Sequence, residues 1–527
     1  MNKKTFLPLY VFIITIGIMC YFYYSGKRER LSMQNKKKLV SIQQHEDTIK
    51  RPIILPTRNK KGFVSIQHNH FSIGDSAFFP IVLNYFVSMQ GNKKELWPCP
   101  TKNYDPNNKF RFTTKDSSLM QLQAQMDLIK KMGFNTVRIV GIGETTFNKQ
   151  KKLISEFAIG NKKDSSIVLN NSENDARYFN ALSDLFTITD RAGLKVILLV
   201  RMVPNFSASD TLFEKITNRF KNEPTLMAYD FFNEPLYFDS IPRKKKDIYL
   251  IVKNWSEIQK RNAAYQLSTI GLEGIREVFK WDPTILDVDF ISYHPYEYET
   301  EQVRNEMYWY GKYTGKPWII GETAIAADND SVTYQQQKYF AEKTLTQAYN
   351  CGAIGYSWWQ YKDVDWGNYS NKYMGVVNQK GTTKVNGFTV YGTVKPVVEA
   401  FKHFNPKAVK GKPVFLPNYY NYSQFHTYRL IGHLVDENNK PIQGGVVLGW
   451  NQYWLHSYHT ITKPDGSFEL LGDFKFYHWI ASAVGKTAIR GEINPDSAKI
   501  NPINKIPTLN LGLLKVKQLD FLNGKTN

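Results

Sequence analysis

Short apolar segments alternate with stretches of helical spacing from Pro80 onward, and this alternation constrains the fold more than any other feature of the chain. Between the first two segments, apolar side chains recur every three or four residues from Leu119 to Met132, and Gly133 follows as a stop signal. Eight strands alternating with helices predict an α/β fold, a (β/α)₈ TIM barrel over residues 62–405. The predicted strands cover residues 81–86, 136–140, 195–200, 227–232, 266–270, 290–293, 318–320 and 353–358.

Residues 1–61 differ in composition from the barrel region. Residues 5–24 are uncharged and about long enough to cross a bilayer, which predicts a transmembrane helix, and residues 25–61 are polar and basic, as in a tether. The uncharged run ends in the bulky sequence YFYY rather than in the small residues of a signal-peptidase site. An uncleaved anchor is therefore favoured over a removed signal. Residues 63–79 resemble a small hairpin and are expected to cover the bottom of the barrel.

The pattern changes again after the barrel region. Residues 406–425, rich in Pro, Lys and Tyr, predict a linker. Short alternating strands with turn signals such as KPDG at residues 463–466 then predict a small all-β sandwich over residues 426–527. Its aromatic residues suit either a glycan-binding surface or the sandwich core, and core packing is favoured. They are Trp450, Tyr453, Trp454 and Trp479.

Charge and cysteine usage exclude two classes of protein. The net charge is +21, but residues 1–61 hold 13 of the 68 Lys and Arg and only 3 of the 47 acids, and no Arg-rich stripe or nucleic-acid motif follows. Nucleic-acid binding is therefore not expected. Three cysteines, Cys20, Cys99 and Cys351, give no disulfide framework, so no intrachain disulfide is expected. The sequence does not indicate an oligomeric state.

Two of the predicted strands end in a glutamate. Glu234 follows the fourth strand in the run FFNEP, and Glu322 follows the seventh in the run IIGET. Because active sites of such barrels form at the carboxyl ends of the strands, both side chains are expected to meet in one pocket. Paired carboxylates suit hydrolysis of a glycosidic bond, since one acid protonates the leaving oxygen while the other attacks or stabilises the anomeric carbon.

Neighbouring strand ends supply further candidates. Arg138 ends the second strand, where a guanidinium needs an acid partner and would keep it ionised. His294 and Tyr296 follow the sixth strand. The eighth ends in Trp358 and Trp359, and indole faces stack on pyranose rings, although the pleat lets only one of the two point inward.

Together these motifs resemble the family five glycoside hydrolases, the cellulase and mannanase group, over about residues 62–405. The resemblance implies a retaining double displacement with Glu234 as acid/base and Glu322 as nucleophile, the first with a raised pKa and the second with a low one. Asn233 would hold the sugar 2-hydroxyl. The other substrate-binding residues implied are Arg138 and Tyr296 against Glu322, His294 close to Glu234, Trp359 under the cleaved sugar, and Trp358.

The implied substrate is a β-linked polysaccharide or oligosaccharide of the β-glucan or β-mannan type, and no metal or other cofactor is called for. Family members often carry a histidine at the end of the third strand, where this chain has Arg201, which changes the donors offered to a sugar. Acidic residues near the cleft are expected to be structural or substrate-contacting rather than catalytic; they are Glu144, Glu297, Asp363 and Asp365. The C-terminal motifs resemble the carboxypeptidase regulatory-like sandwiches.

Two alternatives remain open at this stage. A noncatalytic surface glycan-binding protein on a degenerate barrel is disfavoured because a mere binder does not need the paired carboxylates. A barrel enzyme of another kind is disfavoured by the lack of phosphate-binding or metal-ligand motifs. The basic residues after the predicted span favour a cytoplasmic body. We nevertheless expect an exported catalytic domain, periplasmic or at the cell surface, or secreted if the segment is cleaved, because polymers are degraded there.

Overall fold

The computed structural model describes residues 60–92, 94–104, 114–159, 162–296, 300–414 and 426–525, all within one compact unit, Leu55–Asn527. A three-stranded antiparallel sheet comes first, formed by β1 (Val64–Gln67), β2 (His70–Ile73) and β3 (Ser76–Phe78). Phe71 of β2 packs edge-on against Phe290, in a cluster with the first residues of several barrel strands. This small sheet therefore closes the amino-terminal end of the barrel, as predicted from residues 63–79.

Eight parallel strands form a closed barrel, because the last of them pairs with the first. Each strand overlaps one of the eight predicted segments. The barrel strands are β4, β6 and β10 to β15. In chain order the strands of this region are β4 (Ile81–Gly91), β5 (Leu96–Pro100), β6 (Thr136–Gly141), β7 (Thr146–Phe147), β8 (Leu153–Ile159), β9 (Lys162–Val168), β10 (Lys195–Leu199), β11 (Leu226–Asn233), β12 (Leu267–Leu272), β13 (Ile291–Tyr293), β14 (Trp318–Ile320) and β15 (Gly355–Trp358).

The helices between the strands begin and end where local chemistry dictates. Thr114 caps the first one by accepting the Ser117 N–H, and the chain turns at Gly133, whose φ is 97°. A Cβ at Gly133 would lie 2.5 Å from the Lys402 backbone, so only glycine fits there. The α-helices are Lys115–Lys131, Ser172–Arg191, Ser207–Phe220, Pro235–Phe238, Lys245–Asn262, Thr300–Tyr313, Tyr334–Asn350, Tyr369–Lys372, Val398–Lys402 and Pro406–Val409. Short 3₁₀ helices are Lys102–Tyr104, Ile275–Phe279, Pro495–Ser497 and Asp520–Lys525.

The first barrel strand is longer than predicted. It continues past residue 86 to Gly91 because β5 pairs with its second half in antiparallel fashion. The hairpin of β8 and β9 adds to the same edge of the sheet, and Ala158 of β8 pairs with Gln90. These inserted strands follow the carboxyl ends of β4 and β6, so they build up the rim on which a site is expected.

The C-terminal part consists of two four-stranded sheets that pack face to face. One sheet has the order β21-β18-β25-β24 and the other β20-β19-β22-β23, and side chains from both fill a shared core. Trp479 packs into this core as predicted, whereas Tyr453 and Trp454 lie on the surface, contrary to the prediction. The remaining strands are β16 (Thr382–Val385), β17 (Phe388–Tyr391), β18 (Tyr428–Val435), β19 (Val446–Trp450), β20 (Ser457–Ile461), β21 (Ser467–Gly472), β22 (His478–Ser482), β23 (Ile489–Glu492), β24 (Lys499–Ile500) and β25 (Pro507–Lys515).

Several predictions fall outside the described residues. These are the transmembrane helix at residues 5–24, the tether that follows it, and most of the predicted linker at residues 406–425. Among the helices that the structure describes, none is both long and apolar enough to cross a bilayer. Cys99 and Cys351 are both free thiols, and Cys20 lies in the undescribed segment.

Candidate active site

Glu234 and Glu322 lie side by side at the carboxyl ends of the fourth and seventh barrel strands, β11 and β14. One carboxyl oxygen of each and a ring nitrogen of His294 all lie within 4.8 Å of one another. Glu234 has a left-handed backbone with φ of 43°, which is uncommon for a residue with a side chain and typical of functional sites. Its N–H donates to the Gly271 carbonyl at 2.8 Å, which fixes the turn.

The Glu322 carboxyl group is buried and receives two donors. Arg138 Nη1 donates to Oε1 at 2.5 Å, and the Tyr296 hydroxyl donates to Oε2 at 3.1 Å. Arg138 is itself buried and holds further groups, among them Asp230, to which its Nε donates at 2.8 Å, and Asn233, whose Oδ1 accepts from its Nη2 at 2.7 Å. The guanidinium thus fixes the orientation of Glu322 and leaves the amide group of Asn233 at the pocket wall.

Glu234 has a different environment. Its Oε1 lies 3.0 Å from His294 Nδ1, and no cation contacts it directly among the described residues. Burial raises the pKa of Glu234 to about 7, and the nearby Glu273 carboxylate adds to the rise. Burial also lowers the pKa of His294 to about 4, so the imidazole is neutral at neutral pH. Glu234 can therefore hold a proton where an ordinary glutamate has lost it.

The low pKa predicted for Glu322 is not found. Burial raises the pKa of Glu322, while the Arg138 guanidinium and the Tyr296 hydroxyl oppose the rise. Since one guanidinium faces Glu322 and Asp230 together, its charge is shared between two carboxyl groups. The two glutamates still differ in kind, because only Glu322 has a directly bonded cation to stabilise its ionised form.

Two glycines hold His294 in place. A Cβ at Gly271 would lie 2.5 Å from His294 Cε1, and a Cβ at Gly321 would lie 2.8 Å from His294 Nε2. The imidazole is fully buried between these two backbones, with Nδ1 turned toward both glutamates. The sequence signal for this clamp is the Gly immediately before Glu322 and the Gly within β12.

Replacing Gly271 by alanine is expected to displace the His294 ring and to lower turnover roughly 10- to 100-fold, since small misplacements in a reacting pair cost that much. Overpacking should also destabilise the fold by about 1–3 kcal/mol. In a His294→Ala background the added methyl finds space, so Gly271→Ala should cost much less there. Chemical denaturation and kcat of the four proteins measure this coupling. Equal destabilisation in both backgrounds would contradict the clamp.

The two glutamates open into a pocket of about 520 Å³ at the carboxyl end of the barrel. Trp359 lies in its wall and contacts Phe86 edge-on, with ring centroids 5.4 Å apart. Besides Asn233, Glu234, Tyr296, Glu322 and Trp359, the lining residues are Phe86, Val140, Glu144, Leu199, Arg201, Tyr237, Phe238, Glu273, Trp366, Ser370, Asn371 and Met374. A wall of aromatic rings and polar side chains around two carboxyl groups suits a sugar.

Trp358 does not contact this pocket, which corrects its assignment as a substrate-binding residue. Its side chain is fully buried on the outer side of the strand, against Phe340 and Phe401. Its indole N–H donates to the Met374 carbonyl at 2.9 Å. The pleat accounts for the split, because neighbouring residues at a strand end point to opposite sides.

Of the other acids expected near the cleft, one lies in the pocket wall together with Arg201, and the others that the structure describes lie outside the pocket. Arg201 lines the pocket and pairs with Glu144, whose oxygen lies 3.2 Å from Nη1. Asp363 pairs with Lys395 at 2.8 Å in a buried site away from the pocket, and Asp365 is exposed. Glu297 lies outside the described residues.

Several residues of the site were not predicted from the sequence, and four of them are polar or charged groups beside the glutamates. Asp230 and Asn84 both bond Arg138, and Tyr237 and Glu273 line the pocket. Asp230 carried a readable signal, because it is an acid within the apolar run of β11, the same anomaly that singled out Arg138 on β6. Asn84 is likewise a polar residue within an apolar strand.

Glu234, His294 and Glu322 also have the composition of a metal site, since their ligand atoms cluster within 4.8 Å. The donor set fits an ion poorly. Arg138 Nη1 occupies Glu322 Oε1, the same oxygen that faces His294, and a guanidinium there repels a second cation. The three groups fit a pair of catalytic carboxyl groups in unlike surroundings better than a metal centre.

No family model and no curated protein match the chain. The chain is similar to a family five glycoside hydrolase from Streptomyces cattleya in complex with Manβ1-4GlcNAc, with 14% identity over 68% of this chain and 85% of that chain and a TM-score of 0.43. It is also similar to an exo-β-1,4-mannosidase from Opitutaceae bacterium strain TAV5, with 15% identity over 65% of this chain and 62% of that chain and a TM-score of 0.44. A family five mannosidase from Rhizomucor miehei has 14% identity over 66% of this chain and 97% of that chain, with a TM-score of 0.40. Similarity at this level does not indicate an activity, which has to be inferred from the pocket itself.

Proposed function

We propose that this chain is a retaining glycoside hydrolase that cleaves β-linked polysaccharide or oligosaccharide, of the β-glucan or β-mannan type. The main support is the distance between the two carboxyl groups, whose facing oxygens lie within 4.8 Å. Retaining glycosidases hold the two groups about 5–5.5 Å apart, whereas inverting ones hold them about 6.5–9.5 Å apart to admit a water. The separation here therefore supports the retaining geometry over the inverting one.

In the first step the Glu322 carboxylate attacks the anomeric carbon and forms a glycosyl ester, while Glu234 gives its proton to the leaving oxygen. Arg138 and Tyr296 hold Glu322 in the attacking orientation through their hydrogen bonds. Asn233, positioned by Arg138, holds the sugar 2-hydroxyl, and Trp359 stacks under the ring. In the second step Glu234, now ionised, takes a proton from water while the water oxygen attacks the anomeric carbon. The bond between that carbon and Glu322 breaks, which frees the sugar and restores the Glu322 carboxylate.

A noncatalytic glycan-binding role is the alternative, and the protonation of the pair disfavours it. A binder does not need one glutamate with a pKa of about 7 beside another that is bonded to a buried arginine. We further propose that residues 5–24 anchor the chain in a membrane, with the catalytic barrel exported.

The test is a hydrolysis panel with the full chain, covering aryl β-mannosides and β-glucosides together with β-mannans and β-glucans. We expect turnover of at least one of these, unchanged after dialysis against EDTA because no step needs a metal. Complete inactivity across the panel, or loss of activity with EDTA that zinc restores, would contradict the proposal.

The pH dependence should follow the two glutamates. As pH rises through about 7, Glu234 loses the proton that it must donate, so kcat/KM should fall on the alkaline side. As pH falls, Glu322 becomes protonated and cannot attack, so activity should fall on the acid side too. A dinitrophenyl glycoside has a leaving group that departs without being protonated. With this substrate, the rate of the first step in Glu234→Gln should no longer fall as the pH rises. Asp365→Asn, at an exposed site, is the matched control and should keep the wild-type profile.

A further inference from the structure

The segment that follows β12 lies directly beside the Glu234 loop. Glu277, on the 3₁₀ helix Ile275–Phe279, is buried, and its Oε1 accepts the Leu236 N–H at 2.9 Å, two residues after Glu234. Glu273 accepts the Tyr237 hydroxyl at 3.2 Å. The loop that carries Glu234 is thus hydrogen-bonded to this segment at two successive residues. We call residues 273–282 the bracing segment.

The first half of the bracing segment rests on the helix Thr300–Tyr313. Gly274 packs closely against Glu306, because a Cβ at this glycine would lie 2.8 Å from Glu306 Oε2. Glu306 is buried on that helix, and its other oxygen lies 3.5 Å from Nε2 of His459, a residue of β20 in the C-terminal sandwich. The sandwich therefore contacts the residue against which Gly274 packs.

The last residue of the bracing segment is bonded to the sandwich directly. Asp282 is buried and accepts the Lys245 ammonium at 2.9 Å and the Gly485 N–H at 2.7 Å. Lys245 also donates to Ser482 Oγ at 3.1 Å and to the Lys486 carbonyl at 2.6 Å. A buried pair with this many partners needs its geometry intact, since a charge left alone there is costly.

The docking is completed by a glycine of the sandwich. The Trp309 indole N–H donates to the Gly444 carbonyl at 2.8 Å, and a Cβ at Gly444 would lie 2.3 Å from the Tyr313 ring. Val446 and Ile461 of the sandwich belong to the same apolar core as Ile275 of the bracing segment. The two parts therefore share a hydrophobic core as well as hydrogen bonds.

From this continuous set of contacts we infer that the C-terminal sandwich braces the loop of the catalytic acid, with Glu277 as the positioning residue through which it acts on Glu234. The expected changes in kcat rest on the proposed function, whereas the expected changes in hydrogen exchange rest on the structure alone. It gives the sandwich a role in turnover that requires no sugar bound to it.

Glu277 is tested by two substitutions in the full chain. Glu277→Ala removes the acceptor for the Leu236 N–H, so kcat per titrated active site on an aryl glycoside should fall roughly 10- to 100-fold with little change in KM. Glu277→Gln keeps an acceptor oxygen and should restore most of kcat. A residue that only stabilises the fold would lower the melting temperature and leave kcat per active site unchanged, which would overturn the assignment.

The sandwich is tested by a matched pair of glycine substitutions. Gly444 and Gly512 both have positive φ, 77° and 70°, but an alanine methyl meets the Tyr313 ring at the first and nothing within 4 Å at the second. Gly444→Ala should lower kcat and speed amide hydrogen exchange in residues 236–238 and 273–282, whereas Gly512→Ala should change neither. Unchanged exchange in Gly444→Ala would overturn the brace. If the wild type hydrolyses no glycoside, the proposed function fails while the exchange comparison still decides on the brace.

Discussion

Glu322→Gln is expected to lower turnover by roughly 10⁴-fold or more, in line with the loss of a nucleophile in other covalent mechanisms. The amide keeps the size of the carboxyl group and one oxygen to accept from Arg138. Its NH2 group takes the place of the oxygen beside the Tyr296 hydroxyl, whose oxygen can accept from it, so the pocket should stay formed. What disappears is the negative charge that attacks the anomeric carbon. Initial rates on the best aryl glycoside of the panel, with circular dichroism and equilibrium binding of the product sugar, measure this.

The matched control for that variant is Glu342→Gln, which makes the same change on the exposed face of the helix Tyr334–Asn350. It should retain wild-type turnover. Undiminished turnover in Glu322→Gln, with Glu342→Gln also normal, would remove Glu322 from the mechanism.

Arg138→Ala is expected to have the largest effect on stability, a loss of about 3–5 kcal/mol, because it leaves buried carboxyl groups without their cation. Arg138 bonds both Asp230 and Glu322, and all three side chains are almost fully buried. Turnover should be lost as well, since Glu322 would take up a proton and its orientation would no longer be fixed. Urea unfolding and residual activity at low temperature measure the two effects separately.

Arg201→Ala is the control, because Arg201 pairs with Glu144 in the same pocket but is 43% exposed. An exposed pair contributes only about 0–1 kcal/mol, so this variant should unfold near the wild-type urea concentration. Equal destabilisation by the two substitutions would show that burial of Arg138 has no special energetic role.

The barrel could be predicted from sequence because its strands are apolar on both faces. Its helices were recognisable because apolar residues recur every three or four positions and a glycine follows the last turn. Trp318–Ile320 is an example, because three buried residues between a loop and a glycine indicate a short strand. Glu234 and Glu322 were readable for a related reason. Parallel strands bring their carboxyl ends together, so two acids 88 residues apart in the chain fall on one rim.

Other parts of the site depend on contacts that no local pattern reveals. Trp358 and Trp359 are adjacent and chemically alike, and only the packing of Phe401 against the first shows which one faces the pocket. Glu277 has an ordinary polar neighbourhood in sequence, and its bond to Leu236 exists because β11 and β12 are neighbours in the sheet. The raised pKa of Glu322 likewise follows from complete burial, which the residues around it in the chain do not indicate.

The most direct measurement of the central claim is the configuration of the first sugar released, followed by proton NMR as an aryl β-glycoside is cleaved. Two carboxyl groups this close should give the β anomer first, with the α anomer appearing later by mutarotation. Immediate appearance of the α anomer would mean single displacement by water, and it would contradict the assignment of Glu322 as a nucleophile.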